Sequence, residues 1–194
     1  MTFQPTPEAL EDEVLVEKIV KANDTHLFGL LYDRYASVVY NKCLSFVTSK
    51  EEAQDLAHDI FVKLFVKLNT FKGESKFSTW LYAFTYNFCV NYIQRDLKEQ
   101  KKTKSLDENI EGDVTEEIPD EQIHVLKAEK LSKALQKISP EDKAMLLMKY
   151  QDDFSIKDIA DVYNLGESAV KMRLSRAKMN LIKIYNTFDH GESI

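Results

Sequence analysis

Residues 51–68 read EEAQDLAHDIFVKLFVKL, and this stretch decides the fold class. Ala53, Leu56, Ala57, Ile60, Phe61, Leu64, Phe65 and Leu68 recur at intervals of three and four, the spacing that gathers apolar side chains on one face of an α-helix. A strand would scatter the same residues over both faces of a sheet. On another helix face Glu52, Asp55 and Asp59 form an acidic stripe. That stripe fits an ordinary solvated face, and it also fits a docking surface for a basic protein partner.

Outward from this segment the same periodicity predicts helices at about residues 8–22, 25–47 and 75–100, then at 124–138, 140–151, 155–163 and 167–187. Five Gly and four Pro leave little material for hairpins, so the expected fold class is all-α. An apolar content of 44%, with nine Tyr, eleven Phe and one Trp, is enough for folded cores. Between the two groups of helices runs SLDENIEGDVTEEIPDEQ, residues 105–122, with eight acids from Asp107 to Glu121 and no base, the composition of a solvated connector. Just before it, residues 91–105 hold five bases against two acids. The expected organisation is two small helical domains, 1–96 and 123–188, an acidic linker at 97–122 and a tail at 189–194.

The opening MTFQPTPEALEDEV is acidic where a secretory signal is basic, and no apolar run approaches the roughly 20 residues of a membrane span. A cytoplasmic chain without direct membrane insertion is expected. Cys43 and Cys89 have no second Cys or His at ligand spacing, which predicts buried reduced thiols and no metal site. His26, His58, His124 and His190 form no catalytic cluster, so no catalytic residue, no cofactor and no enzymatic activity are expected. The formal net charge of −6 weighs against a simple free-standing DNA binder.

Positive charge is nevertheless concentrated in one place. Residues 155–185, SIKDIADVYNLGESAVKMRLSRAKMNLIKIY, have the anatomy of a helix-turn-helix. Ser155 with Asp158 makes a capping pattern, Asn164 tolerates a left-handed backbone, and Gly166 serves as a cap. Ile159 and Leu165 are expected in the core, with Val170, Leu174, Ala177, Leu181 and Ile184 as the buried stripe of the second helix. The opposite face presents Ser168, Lys171, Met172, Ser175, Arg176 and Met179, flanked by Arg173 and Lys178. Residues 167–185 carry five cations against one acid, Glu167, where a major groove would be entered. Upstream, Ser139, Pro140, Glu141 and Asp142 mark another helix start.

Residues 69–95, NTFKGESKFSTWLYAFTYNFCVNYIQR, interleave Phe71, Phe77, Trp80, Tyr82, Phe84, Tyr86, Phe88 and Tyr92 with Lys72, Lys76, Asn87, Asn91 and Arg95. Rings that stack on bases, amides that read base edges and cations that hold a backbone suit single-stranded nucleic acid. Core packing accounts for several of the rings, and Gly73 supports a loop able to approach a strand closely.

Three segments in order resemble the extracytoplasmic-function group of the sigma-70-type RNA polymerase sigma factors. EEAQDLAHDIFVKLF is similar to the polymerase-binding helix of that family, which implies polymerase contacts at Glu52, Asp55, Leu56, Asp59, Phe61 and Phe65. FKGESKFSTWLYAFTYNFCVNYIQR resembles the segment that opens and reads the minus-ten element, which implies contacts at Phe71, Lys72, Trp80, Asn87, Asn91 and Arg95. LQKISPEDKAMLLMKYQDDFSIKDIADVYNLGESAVKMRLSRAKMNL resembles the domain that binds the minus-thirty-five element, with Ser168, Lys171, Met172, Arg173, Ser175, Arg176 and Lys178 as its contacts.

The resemblance implies an alternative sigma factor whose partners are core RNA polymerase, through the clamp helices of its largest subunit and the flap, promoter DNA, and an inhibitory anti-sigma factor. It also implies that the acidic linker runs through the polymerase, where its carboxylates could imitate an RNA backbone. Four positions depart from the family pattern: Asn164 stands where Gly is common, Gly166 where Ser or Thr is common, Tyr86 where a base is common and Asn91 where Asp is common. The rival readings are a stand-alone helix-turn-helix regulator, which would need a dimerisation or sensing domain, and a nucleic-acid hydrolase, which would need clustered catalytic groups.

Overall fold

The computed structural model describes residues 10–101, 119–120, 123 and 126–188. Most of the acidic linker, the first nine residues and the tail 189–194 lie outside the described residues, and the linker's expected role lies there with them. Among the described residues every regular element is helical. The chain separates into two units, Met1–Cys89 and Val90–Ile194, with the division inside the helix Phe77–Lys101.

The first unit is built from α1 (Asp12–Ala22), α2 (Thr25–Phe46), α3 (Lys50–Lys67) and the start of α4 (Phe77–Lys101). Local chemistry sets its helix ends. Asn23 takes the left-handed conformation at φ 50° and closes α1, and the Asp24 carboxylate then accepts the His26 and Leu27 N–H groups at 2.8 and 3.2 Å to open α2. Ser49 does the same for α3, accepting the Glu52 N–H at 3.2 Å, with Glu51 and Glu52 favourably placed in the first turn. After α3 a short 3-10 turn, Leu68–Thr70, leads to a loop in which Gly73 has φ 72°, a left-handed backbone that side chains other than glycine rarely adopt.

α1 is fastened at its acidic first turn. Asp12 accepts Arg34 Nη1 at 2.6 Å and the Tyr35 hydroxyl, while Glu13 accepts the backbone N–H of Phe77 at 2.9 Å. Burial first, and then the bond to Asp12, hold the Tyr35 hydroxyl well above the usual tyrosine range. The core joins Leu15 and Ile19 of α1, Leu31 and Val39 of α2, Leu56, Ile60 and Leu64 of α3, and Phe77, Leu81 and Tyr86 of α4. Each such side chain contributes about 1.5–3 kcal/mol of hydrophobic stabilisation on burial. Cys43 of α2 and Cys89 of α4 meet in this core with their Sγ atoms 4.0 Å apart, both shielded from solvent and unbridged.

The second unit holds α5 (Ala128–Leu135), α6 (Pro140–Tyr150), α7 (Ile156–Tyr163) and α8 (Glu167–Thr187). α5 is shorter than the expected 124–138. Lys127 keeps an extended backbone and donates its N–H to the Tyr185 hydroxyl at 3.0 Å, so the helix begins only at Ala128. The other starts follow the sequence: Ser139 accepts the Asp142 N–H at 3.1 Å, and Ser155 and Asp158 form a reciprocal capping box. Asn164 at φ 51° ends α7, and the Leu165 N–H closes the turn on the Ala160 carbonyl at 2.9 Å.

Two core expectations change. Leu165 is 39% exposed because the turn that its N–H closes leaves its side chain at the surface. Tyr185 takes the last place in the buried stripe of α8, where Ile184 was expected and is half-buried. Residue 185 continues the run of Val170, Leu174, Ala177 and Leu181 by a further four, and its hydroxyl is anchored by Lys127.

Candidate functional site

Three helix surfaces carry the residues singled out by sequence. On α3, Asp55 and Asp59 are exposed and Glu52 is partly so. Leu56 and Phe61, of the expected polymerase contact set, are only 2% and 4% exposed, because both fall in the apolar register that packs against the rest of the bundle. The Phe61 ring lies 4.6 Å from Tyr32 and 6.5 Å from Phe28. Phe65 is half-buried, edge-on to Phe28 at 5.0 Å.

The outer face of α3 instead continues from the acids into two bare valines, Val62 at 53% exposure and Val66 at 69%. Positions 55, 59, 62 and 66 fall within an arc of about 60° on a helix. This makes one stripe that is acidic at its start and apolar at its end. Sequence reasoning missed the valines, although their place outside the buried register is visible in the spacing.

On α4 the aromatic residues divide. Phe77 and Tyr86 are fully buried, while Trp80 and Phe84 stay partly open and stack at 5.7 Å with 22° between ring planes. Phe71, from the loop before the helix, closes on Trp80 and Phe77 at 5.5 Å each, and Lys72 beside it is exposed. Trp80, Phe84, Asn87, Asn91 and Arg95 share one helix face by their spacing, within an arc of about 80°. Along it the side chains change from ring to amide to cation. Phe84 was not among the expected contacts, and its position four residues after Trp80 was the available signal.

Tyr86 serves the core beneath this face. Its hydroxyl accepts Lys42 Nζ at 3.2 Å, and that ammonium, buried at 2% exposure, sits 4.1 Å from the Tyr82 ring centroid and 4.8 Å from that of Tyr86.

On α8, Ser168, Lys171, Met172 and Arg176 are exposed, and Ser175 and Arg173 are partly so. Lys178, expected on the flank of the cationic face, is buried. It is 8% exposed, with Nζ donating to Asp120 Oδ1 at 2.7 Å, and the same oxygen accepts the Tyr150 hydroxyl at 2.7 Å. The Lys178 bond first, and the Tyr150 bond second, hold the Asp120 carboxyl below the usual carboxylate range. Burial, reinforced by Asp120, raises the Tyr150 hydroxyl above the usual tyrosine range.

Arg173 is held from the other side. Its Nε lies 3.9 Å from Asp142 Oδ1 of α6, and its guanidinium lies 5.7 Å from the ring centroid of Tyr163 on α7. The Tyr163 hydroxyl is buried without a hydrogen-bond partner among the described residues, and burial pushes it up to about 12. No helix among the described residues is long and apolar enough to cross a membrane.

Residues 31–98 match the family Sigma-70 region 2, and residues 128–181 match Sigma-70, region 4. RNA polymerase sigma factor YlaC of Bacillus subtilis (strain 168) is 30% identical over 154 residues, which cover 79% of this chain and 88% of the relative. The ECF RNA polymerase sigma-E factor of Haemophilus influenzae is 30% identical over 180 residues, covering 88% and 93% of the two chains. Among solved structures, the sigma factor RpoE from Bartonella quintana, in complex with the anti-sigma factor NepR, matches with a TM-score of 0.59 at 19% identity, over 82% of this chain and 96% of that one. CnrH in complex with the cytosolic domain of CnrY matches with a TM-score of 0.60 at 19% identity, over 91% and 97%. Those two likenesses show a shared fold.

Proposed function

The chain belongs to the extracytoplasmic-function sigma factors of the sigma-70 family, and from that premise we propose which of its surfaces does which part of the work. It is an alternative sigma factor, which binds core RNA polymerase and directs promoter-specific initiation of transcription. In this reading the chain supplies recognition and no catalytic group of its own, and it works in the cytoplasm beside the polymerase.

The proposed domains are residues 1–96 for polymerase docking and the minus-ten element, and 123–188 for the minus-thirty-five element, with 97–122 as the linker. Polymerase docks on Glu52, Asp55 and Asp59, with Val62, Val66 and Phe65 as the apolar part of the contact, on the clamp helices of the largest subunit; the flap is the second contact expected. Leu56 and Phe61 support that surface from beneath. Trp80 and Phe71 wall a base flipped from the melted strand, Lys72 holds its phosphate, Asn87 reads its edge, and Asn91 and Arg95 extend the contact along α4. Ser168, Lys171, Met172, Arg173, Ser175 and Arg176 enter the upstream major groove. Linking two weak DNA contacts through one enzyme produces strong promoter binding from a chain with net charge −6.

The observation that carries this reading is the separation of opposite charges on different helices: exposed carboxylates on α3 beside bare valines, exposed cations on α8. By extension from the relatives solved with NepR and with the cytosolic domain of CnrY, a protein inhibitor is proposed for this chain as well. The test is run-off transcription with core polymerase added to the purified chain, with start sites mapped. Promoter-dependent transcripts that need both components are expected. Tight sequence-specific binding of duplex DNA by the chain alone would favour the stand-alone regulator.

A further inference from the structure

We infer that Asp142 and Tyr163 are positioning residues for Arg173, holding its guanidinium so that both terminal amino groups meet a guanine edge in the upstream promoter duplex. The inference rests on the reading of α8 as the promoter-reading helix.

Arg173 lies on the flank of α8, between the buried stripe and the outward face. A long side chain there has many rotamers, and ordering them only when DNA arrives weakens the contact. Two groups order it beforehand. Asp142 approaches through Nε, the one guanidinium nitrogen that leaves both Nη groups for an incoming ligand, and the Tyr163 ring lies against the planar cation.

The pair adds little to stability. At 3.9 Å it is an ion pair and no hydrogen bond, and the side chains are 39% and 25% exposed, so solvent screens it. What it supplies is direction. A guanidinium anchored at Nε offers two parallel donors, and guanine, with O6 and N7 side by side in the major groove, offers the matching acceptors.

The test uses holoenzyme assembled from the full chain and core polymerase, transcribing a template library whose upstream element is randomised, with base preferences read by sequencing. Arg173→Ala is expected to lower the preference for guanine at one position by about tenfold. Asp142→Ala and the shape-keeping Asp142→Asn should each lower the same preference by about fivefold, and neither should lower it further when Arg173 is already Ala. Tyr163→Phe should retain the preference and Tyr163→Leu should lose it, since the ring is the part that serves.

An Asp142 variant with undiminished guanine preference overturns the inference. So does one whose loss is equally large with and without Arg173, the mark of a purely structural effect. If Arg173→Ala changes no preference, Arg173 reads no base; the contact reading and the inference then fall together.

Discussion

Glu13 Oε1 accepts the backbone N–H of Phe77 at 2.9 Å, so the first turn of α4 is capped by a carboxylate 64 positions earlier in the chain. That turn carries Trp80. Glu13→Ala is expected to destabilise the protein by about 1 kcal/mol, as loss of a helix cap does. Faster amide hydrogen exchange at Phe77 to Trp80 should accompany it. Unchanged exchange there would show that α4 starts without help from α1.

On the proposed reading, the outer stripe of α3 serves docking and its buried face serves folding. Asp55→Ala and Val66→Asp should each weaken capture of core polymerase while leaving the melting temperature within a degree or two of the parent. Phe61→Ala should do the opposite and cost about 3–5 kcal/mol of stability, because its ring is packed against Tyr32 and Phe28. Arg176→Ala should keep polymerase capture and lose promoter-specific transcription. Pull-down, melting and run-off assays on one set of variants decide this, and a shared defect for Asp55→Ala and Arg176→Ala would refute the division.

The turn before α8 can be improved. Gly166 has φ −73° and ψ 148°, an ordinary N-cap conformation, makes no side-chain cap, and a Cβ there would meet nothing within 4 Å. Gly166→Ser should raise stability by about 0.5–1 kcal/mol, from a new cap and a less flexible unfolded chain. Asn164→Ala, at φ 51°, should lower it by about 1–2 kcal/mol. Thermal or urea unfolding reads both, and a loss of stability in Gly166→Ser would contradict the assigned cap.

Asp120 gives the second unit an acid-sensitive tie. Its carboxyl sits below the usual range because Lys178 and then Tyr150 donate to it. Above the ordinary aspartate range both folded and unfolded states are charged and the contribution is whole. As pH falls through that range the unfolded chain binds a proton first, so stability drains until the folded carboxylate is protonated too. Asp120→Asn should therefore flatten the acid side of the stability–pH curve, and at neutral pH it should cost no more than about 1 kcal/mol, because the Asp120 side chain is half exposed and solvent screens its bond to Lys178. An unaltered acid limb would count against the tie.

What was legible in the sequence was local. Ser49, Ser139, Ser155 and Asn164 set helix ends through bonds to residues three or four positions away, so their meaning is written beside them. The apolar register of α3 was equally readable, because one helix face is a matter of spacing. Roles set by distant partners were not readable. Lys178 sits on a basic helix and looks free until Asp120, 58 positions away, is found at 2.7 Å. Leu56 and Phe61 belong to a motif that suggests contact with a partner, yet only the packed bundle reveals that they face inward. The cap from Glu13 to Phe77 has no sequence signature, since nothing near Phe77 announces it.

The two closed thiols make the natural chain a ready labelling background. Cys43 and Cys89 are its two cysteines, and both are sealed inside the first bundle, where a maleimide dye cannot reach them while the fold holds. New cysteines in place of exposed Gln54 on α3 and exposed Asn186 on α8 would then take up donor and acceptor fluorophores with both native cysteines left in place. Energy transfer between them would follow, in real time, how polymerase spreads or gathers the two halves of the molecule as a promoter is engaged.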